Sequence, residues 1–250
     1  MNTFGKNEQT DLQKAEWQAR VDLAAAYRLV ALYGWEDLVF THLSARVPGP
    51  EHHFLINPYG LLFHEITASS LVKIDQEGQV VEATGLSRVN PAGFTIHSAV
   101  HMGRDDAHAV MHVHAADAVA VSAHKDGLLP LSQTAMLCQD HIAYHDYEGV
   151  ALNLDERERL INDIGNKNML ILRNHGILTA GASVPECFTY LYFLMKACEI
   201  QVRTAQPYCM PSEAALATTR EQSESLGKAA ALTWPALIRL LDSKNPGYAV

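Results

Sequence analysis

The sequence predicts an α/β protein in which helices cover a mostly antiparallel sheet. Short apolar runs follow one another through the middle of the chain, their Pro/Gly links are too short for parallel crossovers, and long segments of helical periodicity flank them. No glycine-rich phosphate loop of the dinucleotide-binding or P-loop kind occurs, which argues against a nucleotide cofactor.

Residues 9–34 read as an amphipathic helix, with Trp17, Val21, Leu23, Ala24, Tyr27, Leu29, Val30 and Ala31 near helical spacing and Gly34 as its stop. Strands are expected over 38–47 and 53–57, broken by Pro48-Gly49-Pro50 and Asn57-Pro58-Tyr59-Gly60, then over 70–74 and 80–81 around the turn 75–78. A helix over 94–102 carries His97 and His101 one turn apart. His97 is expected to look toward the sheet and His101 toward solvent, and no glutamate follows the first histidine as a zincin motif requires.

The apolar run 107–113 reads as a strand, 115–125 as a helix stopped by Asp126-Gly127, and 128–131 as another strand. Residues 135–145 lead into a polar cluster of Asp140, His141, Tyr144, His145 and Asp146, which reads equally well as a hydrogen-bonded surface loop. A helix over 155–165 precedes a strand-turn-strand over 169–179. The helix 183–206, capped by Ser183 with Pro185 in its first turn, is apolar on more than one face, which suggests contact with another subunit. Residues 207–226 look loosely ordered, and 229–241 form a last helix.

Composition narrows the function. The chain has 250 residues, of which 48% are hydrophobic and 19% charged, enough for one large globular domain. Its net charge of −9 argues against nucleic acid and against an anionic membrane as partners. Residues 1–16 lack a signal peptide's apolar core, and no run approaches the roughly 20 apolar residues that span a bilayer. Cys138, Cys187, Cys198 and Cys209 lack CxxC spacing and suit reduced thiols, so a cytoplasmic location is expected.

The chemistry concentrates at Met111-His112-Val113-His114. Alternation along a strand puts His112 and His114 on one face, about 7 Å apart and within reach of one ion. His175, in the polar turn Arg173-Asn174-His175-Gly176, is the expected third ligand. Three neutral imidazoles around an open position suit catalytic zinc, and manganese or another divalent ion is tolerated. Thirteen histidines make one HxH pair expected by chance, so the weight rests on both sites ending strongly apolar segments.

Taken together, the segments NPYG (57–60), VNPAGFTIH (89–97), VMHVH (110–114), GLLP (127–130), AYHDY (143–147), LRNHG (172–176) and ACEIQVR (197–203) resemble the class II aldolase/adducin family, over roughly residues 17–245. Within it the chain looks closer to bacterial proteins similar to the adducin head than to the sugar-phosphate aldolases. The resemblance implies a three-layer α/β/α sandwich around a mostly antiparallel sheet. It also implies one domain over 1–250, with a core at about 17–206 and a helical extension at 207–250, assembled as a homotetramer. The aldolases' three zinc histidines match His112, His114 and His175.

Departures from that pattern shape the expected pocket. The aldolases' acid/base glutamate, four residues before a histidine, matches Gly93, and the two serines preceding it match Pro91 and Ala92. A phosphate-binding Ser-Gly element matches Tyr59-Gly60, and the asparagine of an Asn-x-Ser motif matches His42 in His42-Leu43-Ser44. With those donors gone a phosphate would be left poorly satisfied. The resemblance therefore implies a metal-dependent carbon–carbon lyase, aldolase or decarboxylase in type, acting on a small unphosphorylated oxo or hydroxy acid. His42, Ser44, Tyr59, Gly60, Ala92 and Gly93 would line the pocket, and His141, Tyr59 and Asp140 are candidates for the missing acid/base. The alternatives are a non-catalytic assembly module like the adducin head, and a family-type epimerase or dehydratase.

Overall fold

The computed structural model describes residues 6–82, 85, 88–150 and 153–250. Helix α1 (Lys6–Leu32) is followed by strands β1 (His42–Arg46), β2 (Phe54–Ile56), β3 (Val72–Ile74) and β4 (Val80–Glu82), then helix α2 (Pro91–Gly103). Next come β5 (Ala109–Val113), α3 (Ala116–Ser122), α4 (Gln133–Cys138), β6 (Ile142–His145) and α5 (Glu156–Ile164). The chain continues through β7 (Met169–Leu172), β8 (Gly176–Gly181), α6 (Val184–Arg203), α7 (Glu213–Ser223) and α8 (Ala230–Lys244). The strands form one sheet in the order β4-β3-β2-β1-β5-β8-β7-β6. Every pair is antiparallel except β6 with β7, which are joined through α5, the kind of crossover a parallel pair needs.

The pleat sorts side chains into two layers. Ala109, Met111 and Val113 pack with residues of α1 and α6, whereas Val110 packs with α2 and α5 through Ile96, Val100, Leu160 and Ile164. The result is the expected three-layer sandwich. Partners in register are His42 with His112 and Ser44 with Val110, so His42, Ser44 and His112 share the α2 face. Helix α6 lies between α1, α3, α4, α8 and the strands β5 and β8, which bury Phe188, Leu191 and Leu194. Much of its apolarity is thus consumed within the chain, while Ile200 and Val202 stay exposed. Each such buried side chain contributes about 1.5–3 kcal/mol.

Four expectations are corrected. Residues 128–131 form no strand, because side chains take the ladder's place: the Leu128 N–H donates to Tyr144 Oη (3.1 Å), the Leu129 N–H donates to Gln201 Oε1 (2.7 Å), and Gln139 Nε2 donates to Leu128 O (3.1 Å). The segment 207–226 contains α7, whose cap Ser212 accepts from the Ala215 N–H. The first strand begins at His42 rather than 38, since Leu38, at φ 48°, turns the chain out of extended geometry. His101, expected in solvent, is buried and stacks on Phe54, with Nδ1 2.8 Å from Ala107 O and Nε2 2.7 Å from Ser44 Oγ. Its apolar neighbours are on β2, which sequence separation hides.

Two buried polar side chains of α1 hold this end of the sheet. Arg28 donates to Ile66 O (2.8 Å), Asn245 Oδ1 (3.1 Å) and Pro246 O, fastening the C-terminal segment. Tyr27 is fully buried, and its hydroxyl accepts from the Leu43 (2.8 Å) and Asn57 (3.1 Å) N–H groups at the point where β1 outruns β2. Tyr27→Phe leaves these groups without a partner, so the urea midpoint should fall by an amount equivalent to about 1–3 kcal/mol. An unchanged midpoint would show that water replaces the hydroxyl.

Burial holds the imidazole of His101 neutral, its pKa pushed down to about 3 chiefly by desolvation. Unfolded histidine titrates near 6.5, so the unfolded chain takes up a proton that the folded chain refuses. Stability is therefore present above about pH 6.5 and is lost as pH falls toward 3. In metal-free protein, His101→Phe should make this decline shallower by up to one proton, about 1.4 kcal/mol per pH unit, and an unchanged slope would contradict the assignment.

Candidate metal centre

His112 and His114 stand at the end of β5, and the β7–β8 turn swings His175 in beside them. His114 Nε2 lies 2.9 Å from both His112 Nε2 and His175 Nε2. In the turn, Asn174 takes φ 57° and the His175 N–H donates to Leu172 O (3.1 Å). A Cβ on Gly176 would stand 2.5 Å from Val113 O and 3.2 Å from the His114 ring, so glycine here allows β8 to close on β5.

The second partners of these rings determine which nitrogen carries hydrogen. His112 Nδ1 lies 2.9 Å from Ile177 O, and His114 Nδ1 lies 3.0 Å from Asp37 Oδ2. A carbonyl and a carboxylate can only accept, so each ring donates from Nδ1 and presents a bare Nε2 lone pair to the other. Two lone pairs facing each other at 2.9 Å repel unless a proton or a cation lies between them. Burial, followed by the neighbouring imidazoles, holds His112 well below the ordinary histidine pKa and His175 down to about 4. Converging Nε2 atoms, with outer hydrogen-bond partners on His112 and His114, are the donor set of a divalent ion, so the residues fit one. Asp37 was not among the sequence candidates. It lies 77 positions from His114, and nothing local marks it.

The triad forms one wall of a cleft of about 380 Å³ whose other lining includes Phe40, His42, Tyr59, Asn90 and Tyr147. Among the described lining residues none is Lys or Arg. A cleft of about 420 Å³ between α6 and α8 is lined by Tyr33, Phe188, Tyr192, Phe193 and Leu237 and holds no metal-ligating set.

Of the expected pocket residues, His42 and Tyr59 reach this cleft. Gly93 lies against it: a Cβ there would stand 2.5 Å from His42 Cδ2, so glycine leaves room for the imidazole. Gly60 is exposed, with open space around it, and the Ala92 side chain lies outside the described residues. Ser44 points under α2, two residues farther along β1, where its hydroxyl meets His97 and His101.

His141 and Asp140 do not join the triad within this chain. They precede β6, whose far end, at His145, runs beside Leu172 and the His175 turn. At the near end, His141 meets Asn168 Oδ1 (3.3 Å) and Ser223 O (3.0 Å), while Asp140 pairs with Arg220 at 2.8 Å.

Comparison with known proteins agrees with this architecture. Residues 21–202 match the model of the class II aldolase and adducin N-terminal domain. The crystal structure of an aldolase II superfamily protein from Pseudomonas syringae superposes with a TM-score of 0.91 at 50% identity, covering 94% of this chain and 96% of that one. An L-fuculose 1-phosphate aldolase from Glaciozyma antarctica superposes at 0.83 with 26% identity, covering 99% and 97%. Alpha-adducin of Mus musculus is 46% identical over 207 residues, which are 82% of this chain and 28% of the adducin. With its sheet order, its histidine turn and a family match over most of its length, the chain belongs to the class II aldolase and adducin family.

Proposed function

We propose that the cleft is the active site of a divalent-ion-dependent carbon–carbon lyase, aldolase or decarboxylase in type, acting on a small unphosphorylated oxo or hydroxy acid. The observation that carries this reading is the convergence of three imidazole Nε2 atoms on a cleft whose described lining lacks Lys and Arg. His112, His114 and His175 would hold the ion, zinc first by donor type. Such an ion would supply Lewis-acid stabilisation of the negative charge that carbon–carbon cleavage develops. Asp37 and Ile177 O orient the rings. Tyr59 brings the one phenol from the candidate acid/base set that faces the cleft, and a phosphate would find no Lys or Arg among the described lining residues.

The reading takes the chain as one domain over 1–250, with a core at 17–206 and an extension at 207–250, working in the cytoplasm as a homotetramer. Among the described residues no helix is long and apolar enough to cross a membrane. A second reading, a non-catalytic assembly module, is favoured by Gly93 at the position of the aldolase glutamate and by the likeness to alpha-adducin. Epimerisation or dehydration would use the same ion.

Protein purified untagged and loaded with zinc should hold about one ion per chain, and His112→Ala and His175→Ala should each abolish it. Asp37→Asn should weaken zinc binding about 10- to 100-fold. Screening 2-oxo and 2-hydroxy acids by product NMR should then find cleavage or carbon dioxide release that is lost with the ion. Zinc binding with no turnover of any acid would favour the assembly module, and absence of zinc binding would overturn the metal reading.

A further inference from the structure

Behind the cleft runs a chain of buried side chains. Ala107 O lies 2.8 Å from His101 Nδ1, His101 Nε2 lies 2.7 Å from Ser44 Oγ, Ser44 Oγ lies 2.5 Å from His97 Nδ1, and His97 Nε2 lies 2.8 Å from His42 Nδ1. All four side chains are at most 3% exposed.

With every ring neutral, one arrangement of hydrogens satisfies all four of these contacts. A carbonyl cannot donate, so His101 donates from Nδ1 to Ala107 O. Its ring is kept neutral by burial and by the nearby Arg46 guanidinium, which leaves a lone pair on Nε2. Ser44 must spend its single hydroxyl hydrogen on that lone pair. It can then only accept from His97, which donates from Nδ1 and, being buried and neutral, presents Nε2 as an acceptor. His42 therefore donates from Nδ1, and in the neutral ring that burial favours its Nε2 has no hydrogen. Among the described residues that Nε2 makes no protein hydrogen bond, and the ring lines the cleft beside His112 at a centroid separation of 5.2 Å.

The ring sits where Gly93 leaves space. His42 also stands outside the set of nitrogens close enough to share one ion with His112, His114 and His175. It is therefore a neighbour of the ion site rather than a fourth ligand.

We propose that His42 Nε2 is a fixed hydrogen-bond acceptor that selects a ligand bringing a hydroxyl donor into the cleft, and that His97, Ser44 and His101 are positioning residues that hold it in that form. The proposal rests on the cleft being the active site and narrows its substrate class from oxo or hydroxy acids to hydroxy acids. An oxo acid would set a second acceptor against the bare nitrogen and leave both unpaired.

The chain can be read in metal-free protein at pH 7.5, which separates this proposal from the metal assignment. Long-range proton–nitrogen NMR of uniformly 15N-labelled protein distinguishes the two neutral histidine tautomers. His42, His97 and His101 should all carry hydrogen on Nδ1. Ser44→Ala should release His97 and give His42 a mixture of tautomers, whereas Ser44→Thr, whose methyl can enter the small void beside Ser44, should restore the single form. His42 with hydrogen on Nε2 in the unmodified chain, or a His42 signal indifferent to Ser44→Ala, would overturn the proposal.

With zinc loaded and its stoichiometry measured separately, calorimetry should show glycolate binding about tenfold tighter than methoxyacetate, which keeps the carboxylate but replaces the hydroxyl donor with an ether oxygen. His42→Phe should erase the difference. Equal affinities in the unmodified protein would contradict the proposal. A failure of zinc to bind would instead count against the metal reading and leave the tautomer result to decide this one.

Discussion

The site depends on the register of β5 between β1 and β8. His42 opposite His112, and His112 opposite Leu178, bring the imidazoles to the α2 face while Met111 and Val113 enter the core below α1 and α6. A slip of one residue would turn every side chain of β5 over, burying two imidazoles among aliphatic groups and lifting methionine and valine into the cleft. The register is held from both sides. Gly176 lets β8 approach to where a Cβ would collide with Val113 O, and Tyr27 ties Leu43 and Asn57 to α1 where the ladder between β1 and β2 ends.

That frame explains how so many imidazoles can be buried together. His42, His97, His101 and His112 are each at most 3% exposed, and a charged group in such a place is costly. Burial favours the neutral ring at each, and in the proposed arrangement each Nδ1 hydrogen is satisfied within the protein. The lone pairs left over face inward, at His112 and His114 toward the proposed ion and at His42 toward the proposed ligand. The rings are thus set as acceptors before anything binds. Preorganisation of this kind lowers the cost of ordering a site at the moment of binding.

Much of the architecture was legible because local pattern and tertiary role coincide. The HxH at the end of an apolar run and the histidine turn between two others carry their placement in their spacing, and the resemblance of seven short segments supplied the layers. What escaped depends on long-range contacts. Asp37 reaches His114, Ser44 reaches His101, and Tyr27 reaches Asn57 across 77, 57 and 30 positions. Asp140 and His141 precede the edge strand β6, whose four residues separate its two ends by about 10 Å at 3.3 Å per residue.

The most direct test of the account is cobalt(II) titration of metal-free protein, followed through the ion's visible absorption, which reports ligand number and geometry. Saturation at about one ion per chain, with the intense bands of a four- or five-coordinate nitrogen site that disappear in His114→Ala, is the result the account predicts. The weak spectrum of the hydrated ion throughout, or bands unaltered by His114→Ala, would contradict it.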